Sequence, residues 1–240
     1  MPNATILTVA AILFLAAFTQ SLSGFGLALV SMPLLAPLIG IRTATPLVAL
    51  ISVFVEAGLL FHYRAALNVR AIWRLVISAV IGSPLGVIFL TKVDGKLAMV
   101  VLGIVIAGYA IYALADLNLP KLHSSLWAFG AGLLAGMLGG AYNTSGPPVI
   151  IYGDCRRWPR DEFKSNLQGF FIVNSAAVLA SHLLKGTITP QICMYGLYSA
   201  PALAAGALLG FASDRWLSPQ AFRKIVLILL VAMGIRMMVL

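Results

Sequence analysis

Residues 124–153 read SSLWAFGAGLLAGMLGGAYNTSGPPVIIYG, thirty positions without one Asp, Glu, Lys, Arg or His. A hydrocarbon core ~30 Å thick is crossed by roughly 20 apolar residues in a helix. The run is therefore longer than one crossing, and it carries its own interruption. Gly139-Gly140-Ala141-Tyr142-Asn143-Thr144-Ser145-Gly146-Pro147-Pro148 combines glycines, polar side chains and two prolines. Glycine and proline together open a helical backbone, and amides freed at membrane depth must be met by protein or by a polar cavity. Glycines alone would also fit close helix packing. Asn143, Thr144 and Ser145 weigh against packing as the whole account, since three polar side chains placed in lipid need a reason.

The same pattern opens the chain. The run Ile6–Gly40 carries Ser21-Leu22-Ser23-Gly24-Phe25-Gly26 and then Pro33 and Pro37. Gly24 and Pro33 recur 115 residues later as Gly139 and Pro148. In both halves a basic loop follows, then a span with one strongly polar residue (Glu56; Asn174), then a span containing Gly and Pro (Gly82, Pro84, Gly86; Pro201, Gly206, Gly210), then a last span. The chain is accordingly read as two transmembrane repeats, residues 1–118 and 124–240. Paired Gly/Pro-interrupted segments in corresponding positions point to a midplane binding site.

Composition agrees. Sixty-one per cent of the 240 residues are hydrophobic and ten per cent are charged, with a mean hydropathy of +1.00. A soluble domain carries about 25% charged residues, so this chain cannot solvate a globule but suits a body facing lipid. Uncharged runs place spans near 5–23, 44–62, 74–92, 97–115, 125–142, 166–184, 192–212 and 222–240. The expected fold is all-α: a polytopic transmembrane helical bundle of about eight spans, built from two related halves, with broken or re-entrant helices near 20–34 and 138–149.

The net charge of +9 marks cytoplasmic loops and anionic lipid heads rather than nucleic acid. With eight spans, ten of the sixteen Lys and Arg fall on one side, Arg215 and Arg223 among them. If each break lets the chain cross again, the halves invert and the count becomes eleven against five. Met1–Thr8 has no basic residue, so the first segment is read as a retained helix with its N-terminus outside. Multi-pass insertion in a bacterial-type inner membrane is expected. Cys155 and Cys193 lack metal spacing, His62 and His123 are isolated, and no metal or cofactor is expected.

At Gly24-Phe25-Gly26 … Pro33 and at the Gly-rich element running into Gly146-Pro147-Pro148, the sequence resembles the TauE/SafE sulfite-exporter family of membrane permeases. The resemblance covers nearly the whole chain, and the family's Gly-Gly-Gly type run stands here as Gly139-Gly140-Ala141. It implies transport of sulfite, sulfonates, thiosulfate or related small anions, which in that family is often coupled to an ion gradient.

An anion site needs donors aimed at oxygens, which helix N-termini and hydroxyl or amide side chains supply. The candidates are Gln20, Ser21, Ser23, Gly24, Phe25, Gly26 and Ser31 around the first break, Asn143, Thr144, Ser145 and Gly146 at the second, and Gln168 and Asn174 on the helix near 166–184. His182, at the end of that helix, is read as interfacial. Glu56 lies well inside a span on a face shared with Thr45 and Ser52, a natural place for a proton-coupling group; a structural hydrogen bond or salt bridge is the other reading. The partners expected are a small anion and membrane lipid, and the sequence is compatible with a homo-oligomer. Two rivals stand: an intramembrane enzyme, against which no H-E-x-x-H or G-x-S-x-G occurs, and a non-transporting structural subunit, which leaves the duplicated breaks without purpose.

Overall fold

A computed structural model describes residues 2–115, 119–122, 124–213 and 219–239. The first repeat's expected boundary at 118, His123 and Arg215 lie outside the described residues. Among the described residues the chain is all-helical. Ten α-helices run in the order α1 (Pro2–Ser23), α2 (Leu27–Ile39), α3 (Ile41–Tyr63), α4 (Val69–Lys92), α5 (Gly95–Leu114), α6 (Trp127–Tyr142), α7 (Gly146–Arg156), α8 (Arg160–Leu184), α9 (Pro190–Ser213) and α10 (Pro219–Val239). A 3-10 turn, Arg64–Ala66, follows α3.

Six helical stretches are long and apolar enough to cross a bilayer: Ala4–Ser23, Ile41–Ala66, Val69–Lys92, Gly95–Leu114, Asp161–Leu184 and Pro190–Ser213. The expected span at 125–142 is α6, whose 16 residues reach ~24 Å at the helical rise. Large apolar side chains such as Leu7, Phe54, Ile81, Leu208 and Ile225 stand exposed. In water such a surface would aggregate; in lipid it is the expected exterior.

The helices form two compact units, and the division falls within α3. One unit comprises Met1–Val48, Val93–Leu117 and Ile188–Leu240; the other comprises Ala49–Lys92 and Asn118–Thr187. Each therefore draws helices from both halves of the chain.

In the first unit α1 packs against α9, and α10 against α5 and α2. A Cβ on Gly206 would strike the Phe14 carbonyl, and one on Gly210 would lie 2.6 Å from the Phe18 carbonyl. Both helices advance by four residues between these contacts, so α1 and α9 run parallel. Gly103 of α5 and Gly234 of α10 meet back to back, each leaving no room for a Cβ against the other's carbonyl.

In the second unit α4 packs against α6 and α8. Gly132, Gly136 and Gly140 of α6 press on the backbones of Leu75, Ala79 and Ser83 of α4, while Gly82 and Gly86 press back on Leu133 and Met137. This is a parallel small-residue seam, in which missing side chains let backbones touch and dispersion replaces the hydrophobic effect that lipid cannot supply. At one end the start of α8 holds the α3–α4 turn. Asn68 N–H donates to Asn166 Oδ1 at 2.9 Å, Asn68 Nδ2 donates to Glu162 Oε1 at 3.0 Å, and the Ser165 hydroxyl bonds the Tyr63 carbonyl.

Candidate functional site

The first break lies inside the first unit. Gly24 and Gly26 have φ of 82° and 117°, left-handed values that a side chain disfavours. The helix stops there because both residues leave the right-handed region. Gln20 Oε1 accepts from the Leu27 N–H at 2.9 Å and so caps α2. The Ser23 hydroxyl lies 2.6 Å from both the Thr19 and Phe25 carbonyls and spans the break. Of the expected donors here, Gln20 and Ser23 are thus engaged with the chain's own backbone through these atoms. Ser21 and Ser31 are buried, and their hydroxyls have no hydrogen-bond partner among the described residues. The Phe25 ring packs edge-on against Tyr109 with centroids 6.5 Å apart.

The second break lies inside the second unit and is built differently. Asn143 is left-handed at φ 55° and ends α6, with its N–H bonded to Gly139 O at 2.6 Å. Asparagine tolerates this conformation better than most residues. Ser145 precedes α7, whose first turn contains Pro147 and Pro148. Proline at a helix start is favourable but supplies no N–H. Gly146 therefore opens a helix with fewer main-chain donors than a generic N-terminus, and selectivity there falls to side chains.

Those side chains converge with three other helices of the same unit. Asn143 Nδ2 donates to Ser52 Oγ of α3 at 2.8 Å. Ser83 of α4 and Asn174 of α8 lie within hydrogen-bond distance, Oγ to Oδ1, at 3.1 Å. Ser175 of α8 bonds the carboxyl of Glu56, and Glu56 is 6% exposed. A Cβ on Gly139 would come within 2.6 Å of Asn174 Nδ2. The glycine pair thus divides its work: Gly140 admits α4, and Gly139 leaves space for an amide. Gln168 is fully buried on the same helix as Asn174.

The cluster is incompletely paired. Glu56 Oε2, Asn143 Oδ1, Thr144 Oγ1, Asn174 Nδ2 and the Tyr142 hydroxyl are buried without a hydrogen-bond partner among the described residues. Each such group costs about 1–3 kcal/mol unless something meets it. Buried unsatisfied groups are few in native proteins, and these five belong to helices of one unit or to the break itself. Sequence reading singled out Asn143, Thr144, Asn174 and Glu56 but missed Ser83 and Tyr142. The signal for Ser83 was its setting, Gly82-Ser83-Pro84, which read as packing alone. His182, read as interfacial, is buried, with Nδ1 2.8 Å from Thr187 Oγ1 at the end of α8. Among the described residues no group of three His, Cys, Asp or Glu could hold a metal ion.

An all-helical chain with an apolar exterior, two interrupted helices and polar groups buried beside the breaks is a multi-pass membrane transport protein. The family model for the sulfite exporter TauE/SafE matches residues 9–237, and the chain belongs to that family. It is therefore a transporter and not an enzyme. It is similar to a "Probable sulfite/organosulfonate exporter TauE" of Cupriavidus necator, with 25% identity over 241 residues, 97% of this chain and 93% of the relative. No solved structure matches the chain.

Proposed function

We propose that the chain is a secondary permease for a small sulfur oxyanion, sulfite or an organosulfonate, in a bacterial-type inner membrane. The observation that carries this reading is the buried, partly unpaired set Asn143, Thr144 and Asn174 beside the second break. Hydroxyl and amide groups fixed in a low-dielectric site bind charged oxygens without the desolvation cost of a buried cation. Ser145, Gly146 and Gln168 complete the proposed site in that unit, and Gln20, Ser21, Ser23, Gly24, Phe25, Gly26 and Ser31 form its proposed counterpart at the first break. Sulfite and organosulfonate, which the relative's name gives as its cargo, are of the class such donors suit. Two repeats of about four spans each, with a break in each first span, describe the proposed architecture.

Glu56 is the proposed proton carrier. Ser175 bonds its carboxyl and Oε2 is left without a partner, so a proton can arrive and leave without dismantling an ion pair. The test is flux of labelled sulfite in proteoliposomes under an imposed pH gradient. Wild-type protein is expected to accumulate sulfite against its concentration gradient. Glu56→Gln should keep substrate exchange and lose gradient-driven accumulation. Absence of flux in the wild type overturns the substrate; accumulation by the variant at the wild-type rate makes Glu56 structural.

A further inference from the structure

Arg223, five residues into α10, reads in the sequence as loop charge, but the fold of the first unit turns it toward the first helix break. It shares a crevice with Thr19, Ser23, Phe25, Gly26 and Leu29. Its guanidinium carbon stands 5.3 Å from the centre of the Phe25 ring, within cation–π range. Its Nε is buried and has no hydrogen-bond partner among the described residues. Among the described residues, no carboxylate lines the crevice. The two hydroxyls there are committed to main-chain carbonyls, Thr19 to Leu15 at 2.8 Å and Ser23 to Thr19 at 2.6 Å. Among the described lining residues, Arg223 is therefore the one whose side chain has an uncommitted donor, and its guanidinium stands between apolar walls.

We propose that Arg223 recognises the charge of a sulfur oxyanion at the first helix break, its Nε–H and one terminal N–H forming a fork on two oxygens. The Phe25 ring, itself packed edge-on against Tyr109, holds the guanidinium beside the break by a cation–π contact. A guanidinium suits this task because its planar donors match paired oxygens and it stays charged when partly desolvated. The proposal rests on the anion-transport reading above and adds the residue that selects for charge. Hydroxyls and amides alone accept neutral polar solutes as readily as anions; one correctly placed cation removes that ambiguity.

The test uses the full-length chain in neutral detergent and in proteoliposomes, as wild type, Arg223→Lys and Arg223→Gln, with sulfite as the probe. Calorimetric titration should show sulfite affinity falling about tenfold or more in Arg223→Gln, as expected for loss of a charged donor. Arg223→Lys, which keeps the charge but loses the fork, should fall by at least about threefold. Apparent KM for flux should rise by the same factors, with turnover at saturation little changed. If Arg223→Gln elutes as aggregate, the lysine variant alone decides, and unchanged affinity there overturns the proposal. Wild-type flux with both variants unchanged overturns Arg223 and leaves the transport reading standing. Arg223-dependent binding without flux does the reverse. Sulfite that fails to bind the wild type overturns the site. In a parallel arm with added phosphatidylglycerol, sulfite binding should be insensitive to the lipid. Displacement of sulfite by lipid in the wild type alone would assign the guanidinium to a lipid phosphate and overturn the proposal.

Discussion

Thr144 is the residue of the proposed site at which one atom can be tested by itself. Its N–H is bonded to Leu138 O at 3.3 Å and helps terminate α6, whereas its hydroxyl is buried with no partner among the described residues. Thr144→Val leaves the first contact and the side-chain shape intact and removes only the hydroxyl. A donor lost to a charged ligand costs on the order of 1.5–3 kcal/mol, roughly tenfold or more in affinity. Apparent KM for sulfite should rise by that factor in the valine variant, with the amount of folded protein unchanged. An unaltered KM would move the site away from the second break. Asn143 is less suited to this test, because its left-handed backbone and its bond to Ser52 tie it to the fold as well.

Among the elements, the seam between α4 and α6 makes the sharpest demand on sequence. A Cβ on Gly140 would strike the Ser83 carbonyl and come 2.9 Å from the Val87 nitrogen. Neither obstacle is the tip of a flexible side chain, so the helices themselves must part. Gly140→Ala is expected to lose about 1–3 kcal/mol, the usual cost of overpacking. Gly108, in α5, has open space where its Cβ would stand. There an alanine relieves the backbone entropy of a helical glycine and should be neutral or stabilising by up to about 1 kcal/mol. Thermal unfolding midpoints in one detergent should therefore move in opposite senses for the two variants. A common shift would mean that α4 and α6 do not touch through backbone at this level.

At the scale of the whole molecule, the distribution of basic residues among the loops predicts the orientation of the chain. The segment Arg156–Lys164 holds the densest basic cluster, and basic loops stay on the cytoplasmic side during insertion. Arg156 and Arg157 donate to the carbonyls of Leu122 and Leu119 at 2.8 and 3.0 Å, so the cluster also ties down the segment before α6. Asp161 is exposed within it. In a background with buried Cys155 and exposed Cys193 replaced, Asp161→Cys should resist a membrane-impermeant maleimide in intact cells and react after permeabilisation. Reaction in intact cells would reverse the assigned orientation.

The sequence by itself determined that the chain is an all-helical membrane protein, because hydropathy, span length and the scarcity of charge are properties of consecutive residues. It also located both helix breaks, at Gly24-Phe25-Gly26 and Asn143-Thr144-Ser145. Glycine and proline act on the backbone where they stand, so no distant residue is needed to see their effect. Only the tertiary structure decided which helices those breaks face. A row of glycines such as Gly132, Gly136 and Gly140 announces that something comes close, but not that it is α4. The same limit hid Ser83, whose meaning is its contact with Asn174. It also hid that the carbonyl oxygen of Gln20 caps α2, and left Arg223 among the loop charges although its guanidinium lies over Phe25. Partners far apart in the chain are chosen by shape and by the cost of leaving a polar atom unmet, and neither quantity exists until the helices have packed.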